Sequence, residues 1–223
     1  MSKMAVSYSR LNTFKTCPKQ FEHLYILKDV QDEGSVHTQY GERVHKSLEM
    51  YGKTRDPAHL TDETREYATY VDDIVRKYPD AMFEQQLTLD GAMLPCDWFS
   101  SDAWIRGILD VSIIDGAEAI TIDWKTGKVK PDPEQFKIFS SLVFNAYPEV
   151  QKVTCVFVWL KHTDATTMVY TRAQADTVWA SINKRIDAVQ EAVDTGVFPS
   201  KPSPLCGWCA AQEVCPDAQR KRR

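Results

Sequence analysis

The chain of 223 residues has no uninterrupted apolar run approaching the roughly 20 residues that a membrane-spanning helix needs. Its first ten residues, MSKMAVSYSR, lack the basic-then-apolar profile of a secretory signal. A soluble protein of a reducing cytoplasm, or of a host cytoplasm if viral, is the expectation, with no membrane partner. G-x-x-x-x-G-K-[ST] does not occur, so these residues carry no phosphate loop of a helicase motor. Positive charge is not in excess either: 27 Lys and Arg against 31 Asp and Glu leave a net charge of -4. That excludes a uniformly basic nucleic-acid coat and leaves a local groove or a bound metal as the way to attract phosphate. Internal repeats and low-complexity linkers are also missing, and the length fits one large domain or one domain with an appendage.

Hydrophobic residues make up 43% of the chain, enough for a core, and their spacing changes along it. Leu11, Phe14, Phe21, Leu24 and Tyr25 recur at helical intervals interrupted at Cys17-Pro18, which predicts two short helices or one broken one. Helices are also expected over 36–52 and 61–78, the second opening at Thr61 with Glu63 and Glu66 in its early turns. Strand patterns follow at 82–89, 103–114 and 118–126, with Asp115-Gly116 as a hairpin turn, so these three form a meander. A helix over 133–147, strands at 152–160 and 166–172, and an amphipathic helix over 173–196 complete the order ααα-βββ-α-ββ-α. That order predicts an α/β fold, a mixed sheet with helices against it and a right-handed crossover between the strands at 118 and 152. The expected division is a helical part over 1–80, a sheet core over 81–172 and a helix with a cysteine-rich segment over 173–223, all in one domain.

Residues two apart in a strand share a face, so in ITIDWKTGK Asp123 and Lys125 point one way and Trp124 the other. On a solvated face such a pair is worth about 0–1 kcal/mol and needs no function. Asp110 ends the apolar run WIRGIL in the preceding strand, and the short hairpin brings it toward Asp123. Two converging carboxylates repel unless a cation lies between them, and hard oxygen ligands suit magnesium or manganese. Lys125 then stands where it can orient water or stabilise charge on a phosphate oxygen. Glu84, alternating with Phe83, reads as a solvated acid or one that supports the ligands from behind.

GILD followed by IDWKTGK resembles the signature of the PD-(D/E)XK nuclease superfamily, and of its RecB-like branch in particular. Asp110, Asp123 and Lys125 match its acid, acid and lysine. GERVHKSLE resembles the branch's helical histidine motif at His45, and QFKIF its Gln-x-x-x-Tyr motif at Gln135, with Phe139 in place of the tyrosine. The resemblance implies a restriction-endonuclease-like core, with His45, Asp110, Asp123 and the Trp124 carbonyl as metal ligands and Lys125 and Gln135 as catalytic partners. A nitrogen ligand admits manganese beside magnesium. On the residues alone, His45 also suits a packed helical side chain, and Gln135 a capping role three residues after Asp132.

Of six cysteines, Cys17, Cys96 and Cys155 stand alone, whereas Cys206, Cys209 and Cys215 crowd into ten residues. In a reducing compartment that crowding points to metal before disulfide, and a four-ligand site needs one more thiolate. SYSRLNTFKTCPKQF resembles the segment that supplies the first cluster ligand in RecB-like nucleases with an iron-sulfur staple. These include AddB-type nuclease domains and the CRISPR-associated RecB-like exonucleases. The resemblance implies a 4Fe-4S cluster on Cys17, Cys206, Cys209 and Cys215, with structural zinc as the alternative. Cys155 reads as strand core, and Cys96 matches no motif. The activity implied is metal-dependent hydrolysis of DNA by an exonuclease acting on single strands or ends, with helicase, recombination or CRISPR adaptation proteins as partners. The alternative is a catalytically silent DNA-binding or docking subunit. The tail RKRR reads as a solvated end or a phosphate contact, and Tyr8, Tyr40 and Trp98 as core or base-stacking aromatics.

Overall fold

A computed structural model describes residues 4–220. The elements α1 (Tyr8–Thr16), α2 (Pro18–Phe21) with a π-helical turn Glu22–Leu27, α3 (Val36–Thr54) and α4 (Ala68–Lys77) come first. The strands β1 (Met82–Asp90), β2 (Ala103–Asp115) and β3 (Glu118–Lys125) follow. Then come α5 (Pro133–Ala146), β4 (Lys152–Trp159), β5 (Asp164–Thr171), α6 (Ala175–Thr195) and α7 (Pro216–Arg220). The sheet order is β1-β2-β3-β4-β5, antiparallel throughout except for the parallel pair β3-β4. The meander and the mixed sheet are therefore as the hydrophobic alternation predicts. Gly116 takes a φ of +56°, the left-handed geometry that a two-residue hairpin between Asp115 and Glu118 requires. Among the described residues, no helix is long and apolar enough to cross a membrane. Lys221, Arg222 and Arg223 of the basic tail lie outside the described residues.

The chain divides into two compact units, one built on residues 35–182 and the other on residues 6–34 and 183–220. In the first, Val44 and Leu48 of α3 and Val71 of α4 are fully buried against Val111, Ile113 and Trp124 of the sheet. Neighbouring strand residues alternate faces, and Asp123 reaches Gln135 on α5, so α5 covers the opposite face. In the second unit, Cys17 leaves α1 in an extended conformation and Pro18 opens α2, which is the broken helix that the sequence predicts. Phe21, fully buried, meets Phe14 edge to face at 5.3 Å and stacks on Phe198 at 6.4 Å. Residues from the first and last thirds of the sequence thus share one core.

The helix expected from Thr61 begins later. A turn and a short 3-10 segment, Arg65–Tyr67, precede α4 at Ala68. The buried Thr64 hydroxyl accepts from Thr61 N at 2.9 Å and pairs with Ser47 Oγ at 2.7 Å, so side-chain bonding holds a turn where the charge pattern favoured a helix.

Gly52, inside α3, is fixed by packing. A Cβ there would sit 2.3 Å from Phe83 Cδ1 and 2.7 Å from Cγ of the same buried ring. Alanine favours a helix by up to about 1 kcal/mol over glycine, but overpacking costs about 1–3 kcal/mol. Gly52→Ala is expected to destabilise the protein on balance by about 1–2 kcal/mol in urea unfolding; equal or greater stability would show that Phe83 moves freely.

Candidate active site

Four elements deliver the site. His45 comes from the middle of α3, Asp110 from β2, Asp123 and Lys125 from the end of β3, and Gln135 from the first turn of α5. Asp132 caps α5 by accepting from Glu134 N at 3.0 Å, with Pro133 in the first turn. The Gln135 side chain is therefore not spent on capping. Its Nε2 donates to Asp123 Oδ1 at 2.6 Å, and its Oε1 accepts from Lys125 Nζ at 2.9 Å. Lys125 Nζ also lies 2.5 Å from Asp123 Oδ2, at angles outside hydrogen-bond geometry, so this buried oxygen has an ion-pair partner but no hydrogen-bond donor. On the other side, His45 Nδ1 meets Asp110 Oδ1 at 3.1 Å, and Trp124 N donates to Asp110 Oδ2 at 2.7 Å. The structure thus joins five of the expected residues in two linked groups, and Trp124 contributes a main-chain donor while its ring lies in the core beside Tyr70.

Phe139 is buried in α5 and faces Gly107, so the residue standing for the motif's tyrosine serves packing. Cys155 is fully buried, and burial pushes its thiol up to about 12, as suits a strand-core residue.

Glu84, expected to be a solvated or supporting acid, offers an oxygen within 4.8 Å of ligand atoms of both His45 and Asp110. Its φ of +53° lies in the left-handed region, unusual for a non-glycine residue and rarer still inside a strand. The β1-β2 register steps from Phe83↔Val111 to Gln85↔Leu109, which leaves Glu84 and Asp110 facing each other across the break. There the faces exchange. Phe83 packs against α3 at Gly52, whereas Gln85, two residues on, bonds Tyr147 at the end of α5. Likewise Gly107 faces Leu142 on α5 while Val111 joins the α3 cluster. Regular alternation in FEQ gives no hint of such a break.

Charge explains why the arrangement is tense. Burial and the neighbouring Asp110 push Asp123 above the usual carboxylate range, against the pull of Lys125 and His45. Burial, then Asp110 and Glu49, raise Glu84. For His45 burial disfavours the cation, but the Asp110 hydrogen bond and the charges of Asp110 and Asp123 outweigh it and raise the pKa to about 9. Three carboxylates, one of them ending in a buried oxygen with no hydrogen-bond donor, and one imidazole form a donor set fitted to a hard divalent cation.

A profile of the PD-(D/E)XK nuclease superfamily matches residues 5–216. The chain belongs to that superfamily. Its members use divalent metals, and the donor set around Asp110 fits one. Among solved structures, the chain is similar in fold to "Putative exonuclease" from Eubacterium rectale, at 12% identity and a TM-score of 0.55, over 98% of this chain and 88% of that one. SSO0001 aligns at 14% identity and a TM-score of 0.45, over 98% of this chain and 89% of that one. No curated protein sequence matches significantly.

The raised pKa of His45 carries a sign. A group that holds its proton more tightly when folded contributes stability that is complete below its unfolded value of 6.5 and is lost as the pH rises through about 9. A metal on the same residue displaces that proton. Melting temperatures in EDTA are expected to fall between pH 6.5 and 9, and saturating manganese to flatten that slope. Parallel curves with and without metal would show that no metal competes for His45.

Proposed function

We propose that the protein is a metal-dependent deoxyribonuclease of the RecB-like branch, acting as an exonuclease on single strands or DNA ends. The observation that carries this reading is the Asp123-Gln135-Lys125 triangle set beside the His45-Asp110 pair. Lys125 has three N–H donors. One is given to Gln135 and one faces Asp123, so one remains for the attacking water or a phosphate oxygen. The ring of Phe157, 4.5 Å from Nζ, stiffens this placement and limits water around it. His45, Asp110, Asp123 and the Trp124 carbonyl are the groups that would hold the magnesium or manganese ion. Bound there, the ion supplies Lewis-acid stabilisation of charge on the phosphate. Lys125 and Gln135 align water for attack on phosphorus, the bond to the 3′ oxygen breaks, and that oxygen takes the proton. The products are 5′-phosphate and 3′-hydroxyl ends.

The same branch assignment places a 4Fe-4S cluster on Cys17, Cys206, Cys209 and Cys215, in the unit built on residues 6–34 and 183–220. All four thiols line one cavity. Cys17 Sγ accepts from Lys201 N at 3.4 Å and Cys206 Sγ from Ser203 N at 3.3 Å, main-chain donors of the kind that stabilise cluster sulfurs. Burial, together with Cys17, Cys206 and Cys215, raises the pKa of Cys209, a convergence of like charge that a cationic centre relieves. Both units serve as one nuclease domain in this reading, with DNA as substrate and a helicase, recombination or CRISPR adaptation protein as partner.

End-labelled single- and double-stranded DNA, incubated with anaerobically purified protein and manganese, magnesium or EDTA, is expected to lose label only with metal. Lys125→Ala is expected to lower the rate by at least about a hundredfold with the fold retained. Cleavage at the wild-type rate in that variant removes Lys125 from the mechanism, and no cleavage by cluster-loaded protein favours a DNA-binding subunit. Cys17→Ala is expected to lose iron, brown colour and solubility together; a coloured, stable variant rules out Cys17 as a ligand.

A further inference from the structure

Three acids line the cleft beside His45, the exposed Glu42 together with Glu49 and Glu84, and the last two are provided for differently. Glu49 is neutralised by Lys46 at 2.9 Å and Lys53 at 2.7 Å. Glu84 has no hydrogen-bond or ion-pair partner among the described residues, although burial and the charge of Asp110 act against its ionisation. A merely solvated acid has no need of the rare left-handed backbone that turns Glu84 toward Asp110.

We propose that Glu84 is a further protein ligand of the divalent metal held by His45 and Asp110. The ligand atoms of His45, Glu84 and Asp110 all lie within 4.8 Å of one another, a separation that no other trio of His, Cys, Asp or Glu reaches among the described residues. An octahedral ion with bonds near 2.1 Å holds adjacent ligands about 3 Å apart and opposite ones about 4.2 Å apart. The trio's present separations thus lie within about 1 Å of those an octahedral ion requires. A second observation points the same way: Asp123, 5% exposed, ends in a buried oxygen answered only by the charge of Lys125 and by no hydrogen-bond donor. Glu84 brings the protein's contribution to an imidazole, three carboxylates and the Trp124 carbonyl. That composition suits manganese or magnesium.

The break between β1 and β2 is then a device for placing a ligand. With regular alternation, the residue beside Phe83 would face away from α3 and His45. The left-handed turn at Glu84 exchanges the faces of both strands, and the side chains of Glu84 and Asp110 reach the same cation. The strain is kept because the metal-bound state uses it.

The assignment deepens the nuclease reading but is tested by binding, which does not depend on cleavage. Manganese affinity of the metal-free full chain is measured by calorimetry for wild type, Glu84→Gln and Glu49→Gln. Loss of a ligand is expected to weaken binding about tenfold or more in Glu84→Gln. Loss of a nearby charge is expected to change it less than about threefold in Glu49→Gln. Equal losses in the two variants would reduce Glu84 to a source of field and overturn the proposal. Glu84→Gly supplies a second readout, since glycine accepts the left-handed backbone without strain. The metal-free melting temperature is expected to rise above wild type while the increase caused by manganese shrinks. A Glu84→Gly protein that keeps the full manganese-induced increase overturns the proposal. Weakened binding with no DNA cleavage by wild type would leave the ligand assignment standing and sink the nuclease; cleavage lost in Lys125→Ala with normal binding in Glu84→Gln would do the reverse.

Discussion

Everything around the site follows from placing like charges together under cover. Two carboxylates about 5 Å apart repel by about 3 kcal/mol at the effective dielectric of a protein interior, and several such pairs rival the 5–15 kcal/mol of a domain's whole stability. Asp110 and Asp123 are both buried, and Glu84 adds a third charge. Each is answered locally: Asp110 by His45 and a main-chain N–H, Asp123 by Lys125 and Gln135. Glu84 is left without such an answer, and burial followed by the charges of Asp110 and Glu49 raises its pKa. Without a cation the site stands because protons and a lysine occupy its field.

That demand assigns work to the secondary structure. Only a parallel neighbour reached by a crossover helix sets Phe157 of β4 beside Asp123 of β3 while returning Gln135 to the same strand end. Phe136 and Phe157 stack at 3.8 Å beneath that helix, which anchors the turn carrying Gln135. From the other face α3 brings His45, held in depth by Val44 and Leu48 on the same helix. Covering the sheet on both faces is therefore also what lets a histidine and a glutamine approach two aspartates from opposite sides.

The parts legible in the sequence are those where one residue type in one spacing permits one geometry. Asp123-x-Lys125 on a strand, a turn at Asp115-Gly116 and Asp132-Pro133 before a helix are of that kind, and the structure has each of them. The rest was hidden because it depends on partners distant in sequence. Thr64 forms a turn because Ser47 and Thr61 are at hand to bond its hydroxyl. Glu84 reaches the site because β1 and β2 break register together, and nothing in the Phe83-Glu84-Gln85 alternation signals the backbone that does it. A regular pattern describes a regular strand, and functional strain is the exception that such a pattern cannot encode.

The two units also differ in what they offer a metal. One presents oxygens and an imidazole, the other four thiols around one cavity. Hard divalent ions prefer the first set, and soft or iron-sulfur centres the second, so ligand chemistry alone sorts the two kinds of metal between them. The bonds to each set agree with that sorting. Lys125 and His45 surround the carboxylates with positive charge that an incoming cation must displace, whereas main-chain N–H groups of Ser203 and Lys201 point at sulfur and suit a centre that stays. An exchangeable ion belongs where the protein already holds a substitute for it, and a permanent centre belongs where the chain has closed around its ligands. In the proposed reading, by that criterion, the carboxylate cleft serves turnover and the thiol cavity holds a permanent centre.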